Sequence, residues 1–253
     1  MSETVRAFER GLSVIRSFDR QQPTMTLAEV ARACELNRAT ARRLLMTLEQ
    51  LGYVRRRGDR FQLTARVMDL GYAYLSSFGI PELALPYLED LSEELHEASS
   101  VGVLDDADVV YVARIPANRV MTVSIGLGTR FPAYRTSLGH VLLSGLPDDQ
   151  VRDLWDRSDR RDPTPHTIGT VAQLLERIAK VRSNGFALVD QELEVGVRSI
   201  AAPILGPNGT IVAAMNVSTH VSRTPKSELQ ARFVPALLST AEKLTGALAN
   251  RVA

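Results

Sequence analysis

Residues 26–51, TLAEVARACELNRATARRLLMTLEQL, constrain this chain more than any other stretch. They predict two short helices joined by a turn. Thr26 is placed to cap the first helix, with Glu29 three residues on as its capping-box partner. Leu27, Val30 and Ala31 fall on one helical face, and the small Ala31 permits a close helix crossing. Cys34 to Asn37 makes the turn, and Asn37 suits the N-cap of the second helix. In that helix Ala41, Leu44, Leu45 and Leu48 recur at helical spacing and face a core. Arg42, Arg43 and Thr47 occupy the opposite face, with Arg38 and Thr40 in the first turn. This is the pattern of a helix-turn-helix whose second helix enters the major groove of DNA. An ordinary helical hairpin with a solvated basic face carries the same two helices.

The adjoining segment separates the two. Tyr53 to Leu63, YVRRRGDRFQL, reads as a β-hairpin turning at Gly58-Asp59, with Tyr53, Val54, Phe61 and Leu63 as apolar strand positions. Arg55, Arg56, Arg57 and Arg60 crowd the turn. A basic hairpin directly after a helix-turn-helix makes a winged helix, whose tip lies along a phosphate backbone.

Charge sorts along the chain in the same sense. The formal charge is only +1, yet residues 1–66 hold thirteen arginines, no lysine and seven acids, a balance of +6 that leaves −5 for the remainder. A basic front and a mildly acidic rear suggest a DNA-binding module joined to something else. The hydrophobic share of 45% and charged share of 23% are those of a soluble globular protein, and 253 residues allow one large or two ordinary domains. No apolar run reaches the roughly eighteen residues of a membrane span. The N-terminal MSETVRAFERG lacks the apolar core of a secretory signal. Cys34, the one cysteine, rules out an internal disulfide and fits a reducing, cytoplasmic setting.

Ahead of the motif, residues 3–18 predict an amphipathic helix with Val5, Phe8, Leu12 and Ile15 in one stripe, beside Val14 and Phe18, supporting a three-helix core. Behind the wing, Ala65–Phe78 predicts a helix that is apolar nearly all round, so it is buried on several sides. Its place in the chain favours a linker helix in a dimer interface over a core helix of the second domain. Gly79-Ile80-Pro81 marks the boundary. Then come a helix over Pro81–Ala98 and strands over Ser100–Leu104, Val109–Ile115 and Val120–Ile125, the first two joined by the acidic turn Asp105–Asp108. Gly126–Arg135 reads as a loop. Helices come next over Thr136–Leu146, Pro147–Arg157 and Val171–Asn184, then a strand over Phe186–Val189. Arg198–Leu205 and Thr210–Ser218 form a hairpin across Gly206–Gly209. Pro225–Asn250 closes the chain as one or two helices. The class is α+β, with a mainly antiparallel sheet covered by helices.

The order of winged helix, linker helix and α+β domain resembles the IclR family of bacterial transcriptional regulators. Three motifs carry the resemblance: LAEVARACELNRATARRLLMTLEQLGYV, FPAYRTSLGHVLLSGL, and DQELEVGVRSIAAPI followed by IVAAMNVS. The stretch RVMTVSIGLGTRFPAYRTSLGHVLL is similar to a subgroup controlling aromatic catabolism through the β-ketoadipate pathway. This chain departs from the family in carrying His140 where Lys or Arg is usual, and Arg135 where a small residue is common. The resemblance implies a winged helix-turn-helix at 1–64, a linker and dimerisation helix at 65–80, and a GAF/PAS-like effector-binding domain at 81–253. It implies operator DNA as partner, a homodimer or dimer of dimers, and a small carboxylate effector such as protocatechuate, 4-hydroxybenzoate or a β-ketoadipate-like acid. No cofactor is implied. Arg38, Thr40 and Arg43 match its recognition helix, and Phe131, Ser137, Leu138, Asp190, Val197, Ser199, Asn216 and Ser218 match positions that line its effector pocket.

The residues' own chemistry runs parallel. Arginine reads guanine with two hydrogen bonds, and threonine touches a base or a thymine methyl. Arg42, Arg55, Arg56, Arg57 and Arg60 suit phosphates. Thr136 and Ser137 open a helix whose free amides suit an anion. Tyr134 and Arg135, beside them, offer an aromatic wall and a cationic handle. Ser199, Asn216 and Ser218 are polar residues in apolar strands, satisfied either by backbone or by a ligand. Two further functions compete: an enzyme with a DNA-targeting front end, and a ligand-independent architectural DNA binder. His96, His140, His166 and His220 show no metal spacing. A Ser137–His140 contact lacks an orienting acid and an oxyanion site, so no catalytic or metal-binding residues are assigned.

Overall fold

The computed structural model describes residues 4–19, 21–71, 79–117 and 125–252. They form two compact units, Met1–Phe78 and Gly79–Ala253.

In the first unit, helix α1 (Arg6–Arg16) is followed by strand β1 (Met25–Thr26), helix α2 (Leu27–Ala33) and helix α3 (Arg38–Gln50). Strands β2 (Val54–Arg57) and β3 (Arg60–Leu63) make the hairpin. The capping box is complete: the Glu29 amide donates to Thr26 Oγ1 at 3.3 Å, and the Thr26 amide to Glu29 Oε2 at 2.7 Å. Asn37 caps α3 by accepting from the Thr40 amide at 2.8 Å. The core gathers Val14, Phe18, Met25, Val30, Leu45, Leu48, Val54 and Phe61. Gly58, at φ +63°, takes the first turn position of the hairpin, a conformation that glycine adopts freely. Strand β1, absent from the sequence expectation, pairs with β3 through Met25 and Phe61, giving the order β1-β3-β2.

The α1 stripe behaves differently from expectation. Val14 is fully buried and Ile15 half-buried, but Val5, Phe8 and Leu12 are 70, 68 and 41% exposed. The segment meets the core through Val14 and Phe18, with Ile15 packed beside them, and Val5, Phe8 and Leu12 face away. Behind the wing, Ala65–Val67 is a 3₁₀ turn capped by Thr64, and helix begins only at 68, running to 71 within the described residues. Residues 72–78 of the expected linker helix lie outside the described residues. Of those described, Met68 and Leu70 are exposed.

The second unit is a six-stranded antiparallel sheet in the order β6-β5-β4-β9-β8-β7. Its strands are β4 (Ala98–Asp105), β5 (Asp108–Ile115), β6 (Arg130–Pro132), β7 (Ala187–Asp190), β8 (Val197–Leu205) and β9 (Ile211–His220). Helix α4 (Ile80–Leu95) and the C-terminal helix α8 (Val234–Val252) pack against strands of this sheet, with Ser99 of β4 donating to the Leu88 carbonyl of α4 at 2.9 Å. A buried cluster joins helices α5 (Ser137–Ser144), α6 (Asp148–Arg157) and α7 (Val171–Asn184) to residues of β5, β7, β8 and β9. Most of the expected strand Val120–Ile125 lies outside the described residues. The expected loop at 126–135 instead contains β6 and a 3₁₀ turn over Ala133–Arg135, because Asp108–Val110 of β5 supply an edge for residues 130–132 to pair with.

Candidate functional site

On the first unit the basic side chains divide by how they are engaged. Arg38, Arg42 and Arg43 stand exposed on α3, with Thr40 half-buried between them and the core. Thr47, also exposed, returns its hydroxyl to the Arg43 carbonyl at 2.9 Å. Arg38, Arg42 and Arg56 line a concave cleft bounded by α3, the start of α2 and the wing. Arg55 and Arg57 are exposed on β2. Arg56 lies over the Phe61 ring at 5.7 Å and donates to the Gly58 carbonyl at 2.7 Å, which steadies the hairpin tip. Arg60 is also engaged within the unit. Its guanidinium donates to Thr24 Oγ1 at 3.1 Å, to the Thr24 carbonyl at 3.0 Å and to Glu29 at 3.4 Å. It ties the wing to the α2 cap while its side chain stays about half exposed.

In the second unit a narrow cavity of about 30 Å³ lies between the sheet and the start of α5. Its polar floor runs across neighbouring strands: Arg114 and Asn216 each pair in register with Ser100, and Ser199 pairs with Ser218. Thr136 and Arg135 at the start of α5 border it, as do Leu193 and Glu194 of the β7–β8 loop. Thr136 caps α5 by accepting from the Gly139 amide at 2.9 Å. The helix sits so close to the preceding turn that a Cβ on Gly139 would lie 1.9 Å from the Ala133 carbonyl oxygen.

Thus Arg135, Thr136, Val197, Ser199, Asn216 and Ser218 come together around this cavity, and the other expected residues do not line it. Tyr134 is buried edge-on against Trp155 at 4.9 Å, a core contact. Phe131 packs edge-on against Tyr111 at 5.8 Å and so supports the wall without forming it. Leu138 belongs to the core, and Asp190 is paired with Arg198 at 2.9 Å and Lys226 at 2.9 Å. Ser137 is buried with its hydroxyl unpartnered among the described residues. Arg135 is buried, but its guanidinium donates to the carbonyls of Glu192, Leu193, Arg161 and Asp162 at 2.7–3.4 Å. That fork fastens two loops around the cavity and leaves little for a free anion.

Sequence reasoning missed Tyr111 and Arg114, which both line the cavity. Burial pushes the Tyr111 phenol up to about 12 and lowers the Arg114 guanidinium. His140 is wholly buried, with Nε2 donating to the Tyr134 carbonyl at 2.7 Å, and burial pushes it down to about 4. It is a neutral core histidine, and Ser137 Oγ, unpartnered among the described residues, makes no hydrogen bond to it. Glu192 is buried with one carboxylate oxygen unpartnered among the described residues, and burial raises it to about 7. Among the described residues no helix is long and apolar enough to cross a membrane.

A winged helix with an open arginine face, followed by an α+β unit enclosing a polar cavity, is the build of a DNA-binding regulator. Comparison with known proteins agrees: residues 7–58 match the IclR helix-turn-helix domain and residues 72–245 the C-terminal domain of bacterial IclR transcriptional regulators. The chain belongs to the IclR family of transcriptional regulators, which sets the enzyme alternative aside. It is 42% identical over 236 residues to the Pca regulon regulatory protein of Pseudomonas putida, covering 93% of this chain and 81% of that protein. The solved structure of a Rhodococcus sp. RHA1 transcriptional regulator superposes with a TM-score of 0.86 at 50% identity, covering 98% of this chain and 99% of that one. The inducer-binding domain of the Acinetobacter PobR transcription factor, solved as a double mutant with 3-hydroxybenzoic acid, matches with a TM-score of 0.60 at 34% identity. It covers 65% of this chain and 97% of that one.

Proposed function

We propose that this regulator's operator binding is controlled by a small carboxylate of aromatic catabolism held in the cavity between the start of α5 and the Ser199, Asn216 and Ser218 face. The observation that carries the reading is that cavity, a polar floor inside an otherwise apolar unit, where burial of unpaired polar groups is costly without a guest. The likeness to the Pca regulon regulatory protein and to a domain solved with 3-hydroxybenzoic acid supports the ligand class. At about 30 Å³ the cavity admits a water or two, so an aromatic acid displaces lining side chains as it enters.

On the DNA side, Arg38, Thr40 and Arg43 read bases, while Arg42, Arg55, Arg56 and Arg57 hold the phosphates of operator DNA in the cytoplasm. Residues 1–64 form the DNA reader, 65–80 the link between copies and 81–253 the effector domain. The exposed Phe8, Leu12, Met68 and Leu70 are apolar surface that a second copy would cover in a homodimer or dimer of dimers. Light scattering at micromolar concentration should show at least a dimer, and a monomer refutes this assembly.

Ser218→Val tests the cavity. The change removes a hydrogen-bonding hydroxyl and adds a methyl group's bulk to the cavity wall. Calorimetry with hydroxybenzoates should show binding reduced about tenfold or more, with operator affinity in the absence of effector unchanged. Undiminished binding would place the pocket elsewhere.

A further inference from the structure

We infer that Arg114 receives the effector's carboxylate and that Asn216 requires a hydroxyl donor on the effector, so the ligand is a hydroxylated acid read at two points. This rests on the cavity assigned above and goes further by naming the reading groups.

The geometry begins with a β-bulge. Along β4 and β5 the register shifts between Val101, which faces Ala113, and Gly102, which faces Tyr111. Val112 is the extra residue. Ordinary alternation would send Tyr111 and Arg114 to opposite faces of the sheet; the inserted residue turns both to the cavity side, where they line it together. Arg114 donates one hydrogen bond, from Nη1 to Ser100 Oγ at 3.2 Å, and among the described residues no carboxylate lies within ion-pair reach of it. A half-buried guanidinium with most of its planar fork unused among the described residues is a receptor for a carboxylate, which it can bind through two parallel hydrogen bonds. Arg135, the other arginine at this cavity, spends its fork on four backbone carbonyls. Glu194 also borders the cavity and disfavours a second anionic group on its side.

Asn216 sets the other requirement. It is 3% exposed, and its Nδ2 donates to Ser218 Oγ at 3.2 Å, while Oδ1 has no partner among the described residues. An amide oxygen buried in this way accepts a hydrogen bond or carries a desolvation cost. A ligand hydroxyl donates to it; a keto oxygen cannot. Arg114 and Asn216 pair with the same residue of β4, Ser100, so they flank it from the two neighbouring strands. A ligand spanning them lies across the strands.

Calorimetry on the full chain decides, with 3- and 4-hydroxybenzoate, their amides, benzoate and β-ketoadipate as probes. The better hydroxybenzoate should bind about tenfold or more tightly than its amide and than benzoate. Arg114→Gln should erase the gap between acid and amide, and Asn216→Leu the gap between hydroxybenzoate and benzoate. Unfolding curves and operator binding without ligand report whether each variant folds. If Arg114→Gln unfolds, Arg114→Lys takes its place and should narrow the acid–amide gap, since an ammonium cannot make the paired bonds. An acid–amide gap undiminished in the Arg114 variant overturns the carboxylate assignment and leaves the effector cavity standing. Benzoate binding as well as the hydroxybenzoates, or β-ketoadipate outbinding both, overturns the hydroxyl assignment. Failure of every acid to bind the unaltered chain sinks the carboxylate-effector reading itself.

Discussion

Helices α3 and α5 begin alike and are used in opposite ways. Each starts from a polar N-cap that accepts an amide three residues on: Asn37 from Thr40 at 2.8 Å, Thr136 from Gly139 at 2.9 Å. Beyond the cap, α3 turns Arg38, Arg42 and Arg43 outward, whereas every residue of α5 from Ser137 to Leu143 is buried. The cap chemistry therefore says nothing about what a helix meets. A polyanion is gripped by cations on an open face, where counterions can leave. A small ligand needs enclosure, so that a few polar groups act without competition from water. The difference also fixes what each helix tolerates, an open face forgiving substitution that a packed one does not.

The most damaging change should be Gly139→Ala. Its Cβ would collide with the Ala133 carbonyl, a backbone atom that cannot swing aside, so the loss should be about 3 kcal/mol or more in urea unfolding. A variant as stable as the parent would show that α5 shifts readily and that the packed half of the comparison is overstated. Changes on the open side should be milder and should divide by role. Arg43→Ala should cost about 1–3 kcal/mol at the operator and relax base preference there. Arg57→Ala should weaken all DNA alike and lower the salt slope by about one unit. Arg60→Ala should leave that slope nearly untouched and instead cost a few tenths of a kcal/mol, about that of a surface pair, in folding stability. Binding titrations across salt on operator and random duplexes check all three. Equal loss on both duplexes for Arg43→Ala removes its base-reading role, and a slope change for Arg60→Ala returns that residue to the phosphate contacts.

The front unit could be read from sequence because its determinants are local. The capping box, the Asn37 cap and the Gly58 turn each lie within a few residues of what they organise. Strand β1 escaped because two residues carry no period, and its existence depends on pairing with Phe61 and Arg60. The α1 stripe misled because amphipathic spacing shows which residues are apolar but not which side the core takes. The cavity was half visible. Ser199, Asn216 and Ser218 stood out as polar residues in apolar strands, and they do line it. Arg114 has the same signature within VVYVARI, yet strict alternation separates it from Tyr111, and only the bulge opposite Gly102 reunites them. Arg135 looked like a free cation because nothing local reveals that carbonyls from residues 161, 162, 192 and 193 converge on it.

Two of the buried titratable groups of the second unit, His140 and Glu192, oppose each other in their proton uptake. Burial holds His140 near 4 rather than 6.5, so the stability it lends is lost as pH falls from 6.5 toward 4. Burial holds Glu192 near 7 rather than 4.5, so its contribution is full below 4.5 and lost as pH rises toward 7. Between 4.5 and 6.5 the unfolded chain protonates the imidazole and ionises the carboxyl, and the folded chain does the reverse. Folding in that interval moves one proton from histidine to glutamate and exchanges none with solvent through this pair. The two slopes cancel, which unfolding free energies measured at several pH values in the parent and in Glu192→Gln would reveal as a rise with pH confined to the variant. Through this pair the second unit's folding is insulated against a mild acid shift.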